Sequence, residues 1–269
     1  LLLGILQGVA EFLPISSSGH LALAHNFFST AEMDYLAFDV LLHLATLVAV
    51  CIAYRRDVWR IVKGFFTLIG KLCTGRIRQG LDAGERLFLM LVVASIPLVP
   101  MVFLESRVAA LSGMSFVIGI LLILNGCMLF VSDRLKPGSV PLEKAGYKKP
   151  LYIGLFQMFG VLPGISRSGS TITGGRVCGL NREDAVRFSF LMSLPAILGA
   201  CVLKLPDFFS GGIDPDLALP CVVGAVAAAV VGFLAIKLLQ YLSRNRSFAI
   251  FSVYTILVGI AAIIADLVL

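Results

Sequence analysis

Between Glu11 and His20 the chain reads Glu-Phe-Leu-Pro-Ile-Ser-Ser-Ser-Gly-His. A carboxylate, a hydroxyl and an imidazole in one tight turn are the components of an activated nucleophile. Ser17 and His20 are three apart on one helical face, as attacking hydroxyl and proton acceptor require. Gln7 and Glu11, four apart, share a face of the preceding short helix. Pro14 ends that helix, and Ser16 is placed to cap the next. A second polar stretch, Leu162 to Thr171, reads Leu-Pro-Gly-Ile-Ser-Arg-Ser-Gly-Ser-Thr. Gly164 and Gly169 allow close backbone approach. Ser166, Ser168, Ser170 and Thr171 offer hydroxyls, and Arg167 supplies a planar fork suited to phosphate oxygens. A half-helix starting near Ser166 would aim free N–H groups and its positive end at the same place. That is a phosphate cradle. The bland reading is that the serines only cap, His20 bonds a backbone carbonyl and Glu11 pairs with Arg167.

The surroundings favour chemistry, because unpaired polar groups in hydrocarbon lose several kcal/mol each. Of the 269 residues, 58% are hydrophobic and 14% charged, against roughly a quarter charged in soluble domains. This predicts an all-α polytopic membrane protein, and its substrate must then reach into a bilayer, as a lipid phosphate does. The net charge of +6 comes from Lys and Arg between apolar segments with no aromatic-basic stripe, so no nucleic acid is expected. The six cysteines form no CxxC pair and read as inert core thiols. The chain opens without Met inside an apolar run, and its natural N-terminus is expected further upstream.

Apolar runs near the ~20 residues of a span lie at 36–54, 86–104, 114–132, 186–204, 217–239 and 248–268. They predict six transmembrane helices. Four shorter pieces, 1–13, 16–28, 151–162 and 168–180, are split in pairs at Pro14 and at Pro163-Gly164, as two re-entrant helical hairpins would be. The halves superpose at an offset of 150 positions. Gly4 then meets Gly154, Gln7 meets Gln157, and Ile15-Ser16 and Ser18-Gly19 meet Ile165-Ser166 and Ser168-Gly169. One hairpin plus three spans per half leaves the second half upside down, an inverted-topology repeat. The expectation is a single membrane domain over 1–269, with repeats of about 1–132 and 151–269 joined by a cytoplasmic loop, 133–150. Lys and Arg crowd 55–86, 132–150 and 237–247, whereas 105–113 and 204–216 hold only Arg107 and Lys204 beside Glu105, Asp207, Asp214 and Asp216. The first group is therefore expected to be cytoplasmic and the C-terminus outside. The hairpin tips should meet near the midplane.

These motifs resemble the bacterial undecaprenyl-diphosphate phosphatase family, known through bacitracin resistance. Its marks are an (E/Q)xxxE stretch leading to a Pro-x-Ser-Ser-x-Gly-His turn, and a Pro-Gly-x-Ser-Arg-Ser-x-x-Thr run; they read here as Gln7 to Glu11, Pro14 to His20 and Pro163 to Thr171. The resemblance covers essentially the whole chain. It implies removal of the terminal phosphate of undecaprenyl diphosphate in the bacterial cytoplasmic (inner) membrane, with a divalent cation, Mg or Ca. It implies Glu11 as a catalytic or metal-organising carboxylate, Ser17 and His20 as nucleophile and acid/base partner, and Arg167 as the grip on the diphosphate. Gln7, Ser16, Ser166, Ser168, Gly169 and Thr171 would complete the substrate contacts, with Gln7 beside Glu11 at the metal. Many members carry a second glutamate where Gln7 stands, and an amide cannot act as a base. His20 attacking directly, or a metal-bound hydroxide, are the other routes. The expected partners are the lipid substrate and surrounding lipid, with a homodimer open.

The competing class is a polyprenyl-phosphate transporter or flippase, since inverted repeats with broken helices are transporter architecture. Type-2 phosphatidic acid phosphatases share the Ser-Gly-His and Ser-Arg pieces but need a histidine after the latter, and the only histidines are His20, His25 and His43. Asp39 and His43, four apart, read as a helix contact or support for the site. Asn125 and Gln157 are placed to bridge helices. Arg176, Arg182 and Arg187 read as surface anchors of the second hairpin, and Trp59 as an interfacial one.

Overall fold

The computed structural model describes residues 1–28, 35–76, 80–211, 218–245 and 247–268, without the side chains of 35–37, 205–211 and 245. Asp214 and Asp216, used above for sidedness, and the side chain of Asp207 lie outside the described set. Among the described residues there is no strand. The first hairpin is α1 (Leu2–Phe12) and α2 (Ser17–Phe28). It is followed by α3 (Tyr35–Ala53), α4 (Arg55–Cys73), α5 (Ala83–Ser95), the short α6 (Val99–Val102) and α7 (Glu105–Leu111), and α8 (Ser115–Arg134). The second hairpin is α9 (Lys148–Phe159) and α10 (Arg167–Val177), followed by α11 (Arg182–Gly211), α12 (Ala218–Asn245) and α13 (Ala249–Val268). By length and composition five helical stretches can cross a membrane, and α3 with α4 makes a sixth candidate bent by 95°.

That bend corrects one expectation. Residues 55–86 read as a charged loop, yet Arg55–Cys73 is helical. Val58, Ile61, Val62, Phe65, Ile69 and Leu72 recur at helical spacing while Arg56, Arg60 and Lys63 fill another side, so the segment is amphipathic. It never accumulates the unbroken apolar run that marks a span. The following helix is started by a capping box, with Glu85 N–H donating to Asp82 Oδ1 at 2.8 Å and Asp82 N–H to Glu85 Oε2 at 2.9 Å.

The hairpins pack crosswise. α1 lies on α12 of the other half, and α9 lies on α5 of its own opposite. Both contacts pass through a glycine. A Cβ on Gly4 would sit 2.2 Å from the Gly224 carbonyl oxygen, and one on Gly154 would sit 2.3 Å from that of Ala94. Glycines matched in the offset alignment thus make matched close approaches. α8 and α13 pair the same way, with Gly119 against Gly259 and Ser252 Oγ donating to the Gly126 carbonyl at 2.6 Å.

Ion clusters tie the Lys- and Arg-rich end. Asp133 takes Arg182 at 2.7 Å and Arg176 at 3.5 Å, and its other oxygen accepts the N–H of Phe248. Arg187 grips Asp57 with two nitrogens, at 2.7 and 3.0 Å, and reaches Glu143 at 2.8 Å. The hydrogen bond from that guanidinium holds the Glu143 carboxyl below its ordinary range. The three arginines expected to anchor the second hairpin thereby meet carboxylates from α8, α4 and the linker.

Because the Gly4 contact is backbone against backbone, Gly4→Leu must push α1 off α12. Overpacking of this kind costs about 1–3 kcal/mol, so the thermal unfolding midpoint in detergent falls, whereas Gly70→Leu, at a site with nothing within 4 Å, leaves it near the parent value.

Candidate functional site

The two hairpin tips are locked together by backbone and amide groups. Asn125 of α8, buried, donates from Nδ2 to the Pro14 carbonyl at 3.0 Å and accepts the Ser166 N–H at Oδ1 at 3.0 Å, so one side chain holds both tips. Ser16 adopts φ +73°, a left-handed conformation that lets its hydroxyl face both ways. Its Oγ accepts from Gly19 N–H at 3.3 Å as a helix cap, and from Gly164 N–H of the other hairpin at 3.1 Å. Gly164, at φ +106°, closes the gap, and a Cβ on Gly19 would lie 2.8 Å from the Gly164 Cα. Ser168 Oγ donates to the Leu13 carbonyl at 3.3 Å.

Glu11 stands at the centre and is buried. Its Oε1 accepts from Arg167 Nη2 at 2.6 Å, across the junction of the hairpins. Its Oε2 accepts from Ser17 Oγ at 2.7 Å and from Gln7 Nε2 at 3.1 Å. His43 Nε2 lies 3.8 Å from the same oxygen, with its Nδ1 on the Asp39 carbonyl at 2.7 Å. A carboxylate oxygen hydrogen-bonded to a serine hydroxyl is placed to take its proton, and a guanidinium alongside can hold an oxyanion. Arg167 also reaches the Ser189 carbonyl from Nη1 at 3.4 Å.

The structure brings Gln7, Glu11, Ser17 and Arg167 together, but it does not hydrogen-bond Ser17 to His20. The His20 ring is engaged elsewhere, with Nδ1 2.8 Å from the Ser16 carbonyl oxygen and Nε2 3.0 Å from the Tyr254 hydroxyl. Of the second hairpin's groups, Ser166 caps α10 by accepting from Gly169 N–H at 3.1 Å and lies 3.0 Å from Ser168 Oγ. Thr171 is buried, its hydroxyl shared among the Arg167 and Ser168 carbonyls and Ser189 Oγ. These hydroxyls face inward and shape the cradle. Ser17 is half-buried and Ser18 exposed, so the first turn of α2 is the accessible side.

Three groups at the centre escaped the sequence reading or ranked low in it. His43 carried a signal, its spacing from Asp39. Ser189 and Tyr254 carried none, since neither belongs to a motif and only the fold shows what each faces. For a divalent cation, the relevant observation is an orphan: Gln7 Oε1 is buried with no hydrogen-bond partner, beside Glu11. Among the described residues no group of three His, Cys, Asp or Glu side chains could hold a metal ion. One amide and one carboxylate oxygen fit a cation whose remaining ligands are phosphate oxygens and water, the usual habit of Mg.

Comparison with known proteins places the whole chain. The profile of the family described as bacitracin resistance protein BacA matches residues 1–261. The chain is 42% identical over 265 residues to an undecaprenyl-diphosphatase of Methanobrevibacter smithii, covering 97% of this chain and 94% of that protein. It is 37% identical over 270 residues to one of Desulforapulum autotrophicum, with 99% and 97% covered. It is 35% identical over 268 residues to one of Alkaliphilus metalliredigens, with 99% and 98% covered.

Asn125→Ala should test the clamp. It leaves two buried backbone groups unpaired at ~1–3 kcal/mol each, so the unfolding midpoint falls. Thr173→Ala, which removes a buried hydroxyl without a partner, should leave it close to the parent value.

Proposed function

The chain belongs to the BacA family of bacitracin resistance proteins, and from that premise we propose that it is an undecaprenyl-diphosphatase, a membrane phosphatase that converts undecaprenyl diphosphate to undecaprenyl phosphate and inorganic phosphate. The returned monophosphate is the carrier lipid of cell-wall synthesis, and its regeneration accounts for bacitracin resistance. One observation carries the assignment of the site. Ser17 and Arg167, from opposite hairpins, converge on the two oxygens of one buried carboxylate, at 2.7 and 2.6 Å.

Arg167 grips nonbridging oxygens of the terminal phosphate with its planar fork. Ser17 Oγ attacks that phosphorus while Glu11 Oε2 takes the hydroxyl proton. The bond from phosphorus to the bridging oxygen breaks, and undecaprenyl phosphate leaves with that oxygen. Water then attacks the phosphoserine, Glu11 returns its proton to the departing Ser17 Oγ, and inorganic phosphate is released. In this sequence Glu11 is the immediate base for Ser17, the role first sought in His20. Gln7 Oε1 and Glu11 would hold a divalent cation, Mg or Ca, which supplies charge neutralisation of the diphosphate. Free first-turn N–H groups at the starts of α2 and α10 add positive potential at the junction.

The apolar helices make the protein a multi-pass membrane protein. We further place it in the cytoplasmic membrane with the C-terminus outside, on the asymmetry of loop charge. A homodimer is not needed for the reaction, because every group used comes from one chain.

The deciding experiment is phosphate release by purified protein in detergent. A long prenyl diphosphate should be hydrolysed faster than a soluble diphosphate, and chelator should suppress turnover. A flippase that does not hydrolyse would release nothing. Ser17→Ala should lower the rate by roughly 10³-fold, and Arg167→Lys by about 10²-fold despite the retained charge. Phosphate trapped on Ser17 is expected; an active Ser17→Ala enzyme would sink the serine route.

A further inference from the structure

The contact between His20 and Tyr254 has no part in the reaction as written, yet it is closely built. His20 is 8% exposed and both its ring nitrogens are occupied. The Ser16 oxygen at 2.8 Å from Nδ1 is a carbonyl and can only accept, so Nδ1 carries a proton. In the neutral ring Nε2 is then an acceptor, and the Tyr254 hydroxyl at 3.0 Å donates to it. The two rings lie nearly parallel, 6° apart in plane with centroids 5.6 Å apart. Tyr254 arrives from α13, 234 positions along the chain. It belongs to an exposed stripe that is otherwise aliphatic, with Ile250, Val253, Leu257 and Ile264. The ring itself is 42% exposed, so the phenol stands between the buried imidazole and the exterior with its polar end turned inward.

We propose that Tyr254 is a positioning residue for the phosphatase reaction, fixing the plane of the His20 ring, whose Nδ1–H tautomer the Ser16 carbonyl sets, so that Nε2 is the basic atom on the face of α2 that carries Ser17. Turning the imidazole over would break both hydrogen bonds, so Tyr254 fixes the ring plane while the Ser16 carbonyl fixes the tautomer. When the phosphorylated lipid arrives, the phenol can redirect its O–H to a phosphate oxygen. Nε2 is then free to take a proton from the water that attacks the phosphoserine; the new P–O bond forms, the bond from phosphorus to Ser17 Oγ breaks, and Glu11 protonates Oγ. His20 acts in this second step, which explains why it is not bonded to the Ser17 hydroxyl in the first.

The inference rests on the phosphatase reading, and its test separates the two. Phosphate release is measured for the parent, Tyr254→Phe and Tyr254→Leu, alongside ¹⁵N spectra of the histidines in which the His20 signal is identified by its loss in His20→Gln. Tyr254→Phe keeps the stacked ring and should melt as the parent does. Its kcat should fall roughly 10-fold or more with KM within about twofold, the scale of losing an orienting hydrogen bond to a working imidazole. Its His20 Nε2 signal should move, because that nitrogen loses the hydrogen bond it accepts, while Nδ1 keeps its proton on the Ser16 carbonyl. Tyr254→Leu should fall further. Parent-like kcat in Tyr254→Phe, a rise in KM alone, or a lowered kcat with an unchanged Nε2 signal would each overturn the proposal. If the parent releases no phosphate the enzyme reading fails, while the Nε2 signal still reports whether Tyr254 holds His20.

Discussion

A carboxylate inside a hydrocarbon layer cannot stand unpaired, because neither water nor lipid compensates its charge. In this protein the pairing crosses the junction of the hairpins, from Glu11 on α1 to Arg167 on α10 at 2.6 Å. Separating the tips would strand both charges, and breaking a buried pair by removing one partner costs several kcal/mol. The ion pair therefore turns two short helices, each too short to cross a membrane, into one obligate unit. It also gives the unit its chemistry. The carboxylate held by Arg167 still has Oε2 for Ser17, and the guanidinium held by Glu11 still has donors for a phosphate.

Keeping such a pair closed needs exact backbone placement, and that comes from groups with no reactive role. Asn125 measures the distance between the tips with its two amide ends. Ser16 and Ser166 spend their hydroxyls on caps and cross-links. The glycines at positions 4 and 154 let each hairpin lie against a helix of the other half. Crosswise packing of this kind couples the halves, since neither hairpin has its own half's helices as its main support.

Much of this was legible because its signals are local. Proline and glycine breaks, capping serines and interrupted apolar runs located both hairpins within a few residues, and the six apolar runs all fell on helices. The polar residues that are dear to bury pointed at the site. The reading failed where the deciding quantity is not local. α4 disperses its apolar residues around one face, so a search for continuous runs passes over it. Ser17 and His20 share a helix face, but which of them meets Glu11 is settled by the turn at Ser16 and by α13. Tyr254 could not have been chosen from sequence, since nothing in an apolar helix announces that one phenol will meet an imidazole 234 positions away.

At the offset of 150 the two hairpins share a frame but differ in the side chains they bring to Glu11. Position by position, Ser16 corresponds to Ser166 and Gly19 to Gly169, and each serine caps its own glycine, at 3.3 and 3.1 Å. Ser18 lies 3.4 Å from Ser16, and Ser168 lies 3.0 Å from Ser166. The frame is shared; the functional positions are not. Ser17 corresponds to Arg167, both opening their half-helices, and both reach Glu11. The counterpart of Glu11 is Val161, which carries no charge. A second carboxylate there would bring like charges into the same low-dielectric junction and compete for the one guanidinium. Gln157, the counterpart of Gln7, is buried with neither amide atom partnered, since the position four residues on offers it no carboxylate. Matched caps thus open both half-helices, and unequal side chains put a hydroxyl at one start and a guanidinium at the other, each on an oxygen of Glu11.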